Sequence, residues 1–139
     1  MNLNWIGPVA ALGAFLGIWL GHVGVRKIEF IAPDIRLPAL IAWTAGVLLE
    51  AASFAAGNLA LSALLGILGV TLLWDGLEFR RQQNRVKKGH APANPANPRH
   101  ARILAEVPTA TTFNWLARNP VGRKLTNEEI AAINKEVNP

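Results

Sequence analysis

The chain has 139 residues, a formal net charge of +5, 51% hydrophobic residues and no cysteine. The length suits one domain, and the missing thiol rules out disulfides, thiolate metal sites, cysteine nucleophiles and cysteine-ligated iron–sulfur clusters. Charge is segregated: residues 1–75 hold three Lys/Arg and four Asp/Glu, and residues 76–139 hold eleven and five, a distribution that marks an integral membrane protein rather than a soluble domain.

The first element runs from Trp5 to Val25 within a stretch, Met1–Val25, that carries no charged residue. A cleaved signal peptide is not expected, because Met1–Asn4 lacks the positive n-region and the apolar run exceeds an h-region. Trp5 suits the headgroup level. Gly13, Gly17 and Gly21 fall four residues apart, which lays bare backbone along one helical stripe for close approach of a second helix, in this chain or a partner. The segment Gly24–Arg36 carries Arg26, Lys27, Glu29, Asp34 and Arg36, with Pro33 near its end. It reads as a short interfacial connection in which Ile28, Phe30 and Ile31 dip into the lipid boundary.

Leu37–Trp74 is 38 residues long with Glu50 as its one charge. A single helix of that length would reach about 57 Å at ~1.5 Å per residue, against a hydrocarbon core of about 30 Å. Two crossings are therefore expected, Leu37–Ala56 and Leu59–Trp74, joined at Gly57-Asn58, residue types that suit a turn. Pro38 fits the first turn of the earlier helix. Ser62, Gly66, Gly69 and Gly76 give the later one a small-residue face. That helix is expected to continue to about Lys88, with Gly89 in the position after a helix end.

Orientation follows from Lys/Arg bias. The 24–36 loop has three such residues, the 57–58 turn has none, and Arg80, Arg81, Arg85, Lys87 and Lys88 follow the last span. Three crossings put both basic flanks on one side. The expected fold is all-α: an integral membrane protein with three transmembrane helices, N-terminus outside and C-terminus cytoplasmic, in the bacterial inner membrane. Residues 1–89 form the transmembrane domain. Residues 90–139 form a Pro-rich linker and cytoplasmic tail, extended and largely irregular. Three prolines in His90–Pro98 exclude helix there. The tail looks too poor in apolar residues for a core, and Phe113, Trp115, Leu116 and Leu125 have no obvious burial site. Thr126–Glu129 reads as a capping box that opens a short helix over 127–137.

Glu50 is the sharpest candidate for chemistry. A carboxyl within a membrane helix is costly and points to a proton relay or ion ligand, and the plainer reading keeps it near the outer headgroups or hydrogen-bonded to Ser53, Asn58 or another helix. His22 is the one histidine in a span, able in principle to relay protons, without a second axial ligand for haem. Trp74, Asp75 and Glu78 fit the inner boundary, where an aromatic and charges are ordinary. No phosphate-binding glycine loop, metal-spaced histidines or catalytic triad appears, so neither an enzyme nor a cofactor or metal is expected. The basic run suits topology and anionic lipid, at about 1 kcal/mol per residue, or an acidic partner. Nucleic acid is not expected, because residues 80–102 lack stacking aromatics.

The run from Ser62 to Pro95 carries S-x-x-L-G-x-x-G-x-x-x-L-W, then an acidic residue, then Arg85-Val86-Lys87-Lys88-Gly89 leading to Asn94-Pro95. With a glycine-rich first helix, His22 near its end, and Lys27 and Glu29 beyond, it resembles the DUF4491 family of small bacterial membrane proteins over about residues 3–98. Two departures stand out: His22-Val23 replaces the family's His-Pro, and Gly89-His90-Ala91-Pro92 replaces Gly-Trp-Phe-Pro. The resemblance implies a membrane protein and carries no activity.

Two functions fit these residues. One is a non-catalytic accessory subunit of a larger membrane complex, packing through its glycine faces against other subunits and docking its basic tail on a cytoplasmic partner or lipid. The other is a small homo-oligomeric transporter or proton-conducting protein using Glu50.

Overall fold

A computed structural model describes residues 3–114 and 126–137. Trp115, Leu116 and Leu125 lie outside the described residues. All regular structure among the described residues is helical: α1 (Ile6–Ile31), α2 (Arg36–Ala55), α3 (Leu59–Lys87), α4 (Pro98–Glu106) and α5 (Asn127–Val137). The chain divides into two compact units, residues 1–83 and 84–139.

In the first unit, α1, α2 and α3 are each long and apolar enough to cross a membrane. Only 11–17% of each span's most apolar stretch is buried inside the unit, so most of its hydrophobic surface, including Phe15, Leu48 and Phe54, points outward. Such a surface is tolerable in lipid and not in water.

The connection after α1 is shorter than the sequence suggests. The helix does not stop at Val25 but runs through the charged residues Arg26, Lys27 and Glu29 to Ile31. The cause is the continuation of its stripe: Val25 and Glu29 extend the four-residue spacing of Gly13, Gly17 and Gly21 and are buried with Gly13 and Gly17. Arg26 and Lys27 fall on the exposed side. The helix ends at Ala32, which is extended at ψ 127°, as the residue before a proline prefers. Asp34 Oδ1 then accepts from Arg36 N at 2.9 Å and opens α2. The turn at Gly57-Asn58 is where sequence places it. Asn58 Oδ1 accepts from the amides of Ala60 (2.9 Å) and Leu61 (3.0 Å), satisfying two of the four donors that a helix start leaves unpaired.

The second unit has a small core of its own, contrary to the expectation of a coreless tail. Val86, Ala91, Ala93 and Ile103 are buried together, with Leu104, Val107 and Ala110 packed on them. The end of α3 is closed by Gly89 at φ +70°. His90 N donates to Arg85 O and Gly89 N to Val86 O, the paired bonds of a Schellman cap. Residues 90–97 contain no helix, as their prolines require, yet they are folded: Ala93 N donates to Thr111 O, and Asn94 N donates to Nδ1 of the fully buried His100 at 2.9 Å. Asn97 caps α4 through Arg99 N, with Pro98 in the first helical position, where the absent N–H costs nothing. In α5 the capping box is present: Thr126 N donates to Glu129 Oε2 at 2.8 Å and Glu129 N to Thr126 Oγ1 at 3.3 Å.

Candidate functional site

The contacts within the first unit fix the relative direction of its helices. From α1 to α3, Gly13 faces Leu64, Gly17 faces Leu68 and Thr71, and Gly21 faces Asp75. Both numbers rise together, so these helices run parallel. From α2 to α3, Trp43 faces Gly76, Gly46 faces Leu73, Glu50 faces Gly69 and Ser53 faces Gly66. One number rises as the other falls, so these helices are antiparallel. The loop at 32–35 and the exit at Gln83 therefore lie at one end of the unit.

Five of the side chains placed between these helices, Trp43, Glu50, Ser53, Thr71 and Asp75, are each seated on a glycine. A Cβ at Gly17 would lie 3.2 Å from Thr71 Oγ1, at Gly21 2.7 Å from Asp75 Oδ1, at Gly69 2.8 Å from Glu50 Oε1 and at Gly66 3.2 Å from Ser53 Oγ. At Gly76 it would strike the Trp43 indole, whose Nε1 donates to Leu73 O at 3.1 Å. Ser53 and Ser62 exchange bonds across α2 and α3: Ser53 Oγ donates to Ser62 O at 2.8 Å and Ser62 Oγ to Ser53 O at 2.9 Å. The small-residue faces built from Gly13, Gly17 and Gly21, and from Ser62, Gly66 and Gly69, thus meet helices of the same chain.

The acids separate into two places. Glu50 is half-buried on the α2–α3 face, and among the described residues no hydrogen bond or ion pair reaches its carboxylate. Six residues further along α3, about 9 Å at ~1.5 Å per residue, Asp75 opens a second and denser group. Asp75, Glu78 and Gln82 are 7%, 4% and 5% exposed, and Glu29 on α1 is 1% exposed. Asp75 lies within electrostatic range of His22 and Glu78. His22 itself is exposed. Sequence alone puts Asp75 and Glu78 among the boundary charges. The structure turns both inward, because the α3 positions 75, 78, 79 and 82 fall on one buried stripe. Trp74 stays exposed, with the Arg81 guanidinium 4.4 Å from its ring centre, and Arg81 also reaches Glu78 Oε2 at 3.6 Å. Arg80, Arg85, Lys87 and Lys88 are exposed.

A cavity of about 310 Å³ opens beside Asp75. Its walls are apolar residues and glycines of α1 and α3 with Leu49 of α2, and Thr71 and Asp75 are its polar members. In the first unit, Glu29 and Gln82 are further residues whose burial sequence reading passes over. The available signal was their spacing, four residues beyond Val25 and three beyond Phe79, each of which belongs to the same apolar cluster. Among the described residues no three His, Asp or Glu side chains are grouped to hold a metal ion.

A helical unit with three membrane-length spans, an outward apolar surface and a set of acids folded inside it defines the class of small multi-pass membrane proteins. The chain belongs to the DUF4491 family, matching the family described as Domain of unknown function (DUF4491) over residues 4–97. No curated protein and no solved structure matches it. The family match takes in α1, α2 and α3 and ends at Asn97, the residue that caps α4.

Proposed function

We propose that this chain is a proton-handling protein of a bacterial inner membrane, with the acids inside its bundle as the groups that take up protons. One observation carries the reading: Asp75 and Glu78 on one turn of α3, and Glu29 on α1, are each less than a tenth exposed. Ionised carboxylates are costly to remove from water, and proteins that span membranes keep them there chiefly for ion or proton traffic. His22 supplies an exposed imidazole beside Asp75, the side-chain type best suited to pass protons near neutral pH. The expected orientation puts the N-terminus outside and sets this acidic group near the cytoplasmic face.

The test is proton flux into liposomes containing the purified full chain, followed by an entrapped pH dye under an imposed potassium diffusion potential. Asp75→Asn and Glu29→Gln should each reduce flux at least about tenfold, as loss of a relay group does, while the proteins still extract and migrate as the wild type does. Wild-type flux no greater than that of empty liposomes rejects the proposal.

A second reading, the accessory subunit, is favoured by the folded second unit, whose core and exposed Lys87 and Lys88 make a compact basic module suited to a partner protein or anionic lipid. The glycine faces lend it less support, since helices of this chain fill them. Co-purification of a stoichiometric partner after mild detergent extraction tests it.

A further inference from the structure

The cavity beside Asp75 does not resemble a channel for protons alone. It is a half-open slot of about 310 Å³ between α1, α2 and α3, within the size range of small-molecule sites. Leu20, Val25, Ile28, Leu68, Leu72 and Phe79 supply apolar walls. Gly17, Gly21 and Gly24 hold one side flat. The slot carries a single charged group, the Asp75 carboxylate, which is 7% exposed and backed by the nearby Glu78. Thr71 donates its hydroxyl proton to Ile67 O at 2.7 Å, so toward the slot its oxygen offers only acceptor capacity. No cationic side chain lines the slot.

An apolar lining with one anionic end selects for an apolar body with one cationic end. A lipid tail satisfies the walls and brings no charge to the carboxylate, whose one neighbouring imidazole, His22, is not part of the slot's lining. An inorganic cation answers the carboxylate and leaves the walls empty, with too few oxygens to replace its water. A phenyl-bearing or branched ammonium satisfies both.

We propose that this slot is a binding site for a hydrophobic organic ammonium, held by Asp75 at its charged end. This rests on the proton-handling reading to the extent that Asp75 serves both, as the group that holds either a proton or the ammonium.

The probe is benzyltrimethylammonium, whose charge is permanent, titrated calorimetrically into the full chain in phosphatidylcholine nanodiscs. Saturable binding of one ligand per chain is expected. Asp75→Asn should weaken it by about thirtyfold or more, the usual consequence of removing one member of a buried charge pair. Gly24→Leu supplies a variant that keeps the carboxylate: a Cβ at Gly24 meets nothing within 4 Å, so the longer side chain can enter the slot and should displace the ligand without disturbing the helices. Neopentylbenzene, the uncharged carbon counterpart, should bind far more weakly. Wild-type affinity in Asp75→Asn overturns the proposal, as does unchanged binding in Gly24→Leu, equal binding of the uncharged counterpart, or no binding to the wild type. Flux that depends on Asp75 without ammonium binding sinks this inference and leaves the proton reading intact. Binding without flux does the reverse.

Discussion

Gly46→Ala tests the α2–α3 packing that places Trp43, Glu50 and Ser53. A Cβ at Gly46 would lie 2.9 Å from the Gly69 carbonyl oxygen and 2.8 Å from Leu73 Cγ. Comfortable carbon–oxygen contacts begin at about 3.3 Å, so a few tenths of an ångström must be found. One obstacle is helix backbone and cannot rotate away, so α2 and α3 have to part. Parting loosens the neighbouring pairs, Trp43 with Gly76 and Ser53 with Ser62. Overpacking of this kind costs about 1–3 kcal/mol, and replacing a mid-helix glycine returns about 0.5–1 kcal/mol. Subtraction leaves a net loss of about 0–2.5 kcal/mol, centred near ~1 kcal/mol, which is roughly a fivefold fall in the folded-to-unfolded ratio. The assay is reversible unfolding in mixed micelles titrated with sodium dodecyl sulfate and followed by circular dichroism. Gly7→Ala is the control, because a Cβ there meets nothing within 4 Å. If Gly46→Ala proves as stable as Gly7→Ala, the close α2–α3 crossing described above is wrong.

The reciprocal serine bonds between α2 and α3 predict a coupling of about 0.6 kcal/mol, with an upper bound near ~1.7 kcal/mol, in a Ser53→Ala and Ser62→Ala double-mutant cycle; additive effects would refute the pairing. His100→Ala removes a fully buried side chain and the acceptor of the Asn94 amide. It should destabilise the second unit by about 2–4 kcal/mol, seen as much faster tryptic cleavage at Arg99 and Arg102, and an unchanged cleavage rate would contradict it. Gly89→Ala forces a side chain into φ +70°, against the Thr109 carbonyl. A loss of about 1–3 kcal/mol in the same assay is expected, whereas Lys88→Ala, on an exposed neighbour, should change little.

Much of the architecture was readable because lipid imposes few solutions. A 38-residue apolar run has to fold back on itself, and Gly57-Asn58 offers the one place to do so. Short-range caps were equally readable, since Thr126 with Glu129, and Gly89 after Lys88, act within a few residues. What escaped depended on the neighbour. Arg26, Lys27 and Glu29 look like a loop until Glu29 is seen one turn beyond Val25 on a stripe that another helix covers. Asp75 and Glu78 look like boundary charges until Gly21 is found to leave room for a carboxylate. The helix α4 carried a local signal, Asn97-Pro98 ahead of His100, Ile103 and Val107 at helical spacing. The prolines before it drew attention to what they forbid and away from the start they permit.

The three-residue connection between α2 and α3, Ala56-Gly57-Asn58, bears on how the chain enters its membrane. Arriving singly, α2 would expose Glu50, Ser53 and the Trp43 indole to acyl chains, with the Ser53 hydroxyl and the indole N–H lacking the α3 partners they have in the folded pair. Arriving with α3 folded back on it, those groups already rest on Gly69, Ser62 and Gly76. Integration as a preassembled pair is thus the cheaper route, and a long flexible insert at Gly57 should lower the yield of inserted protein while a short one is tolerated.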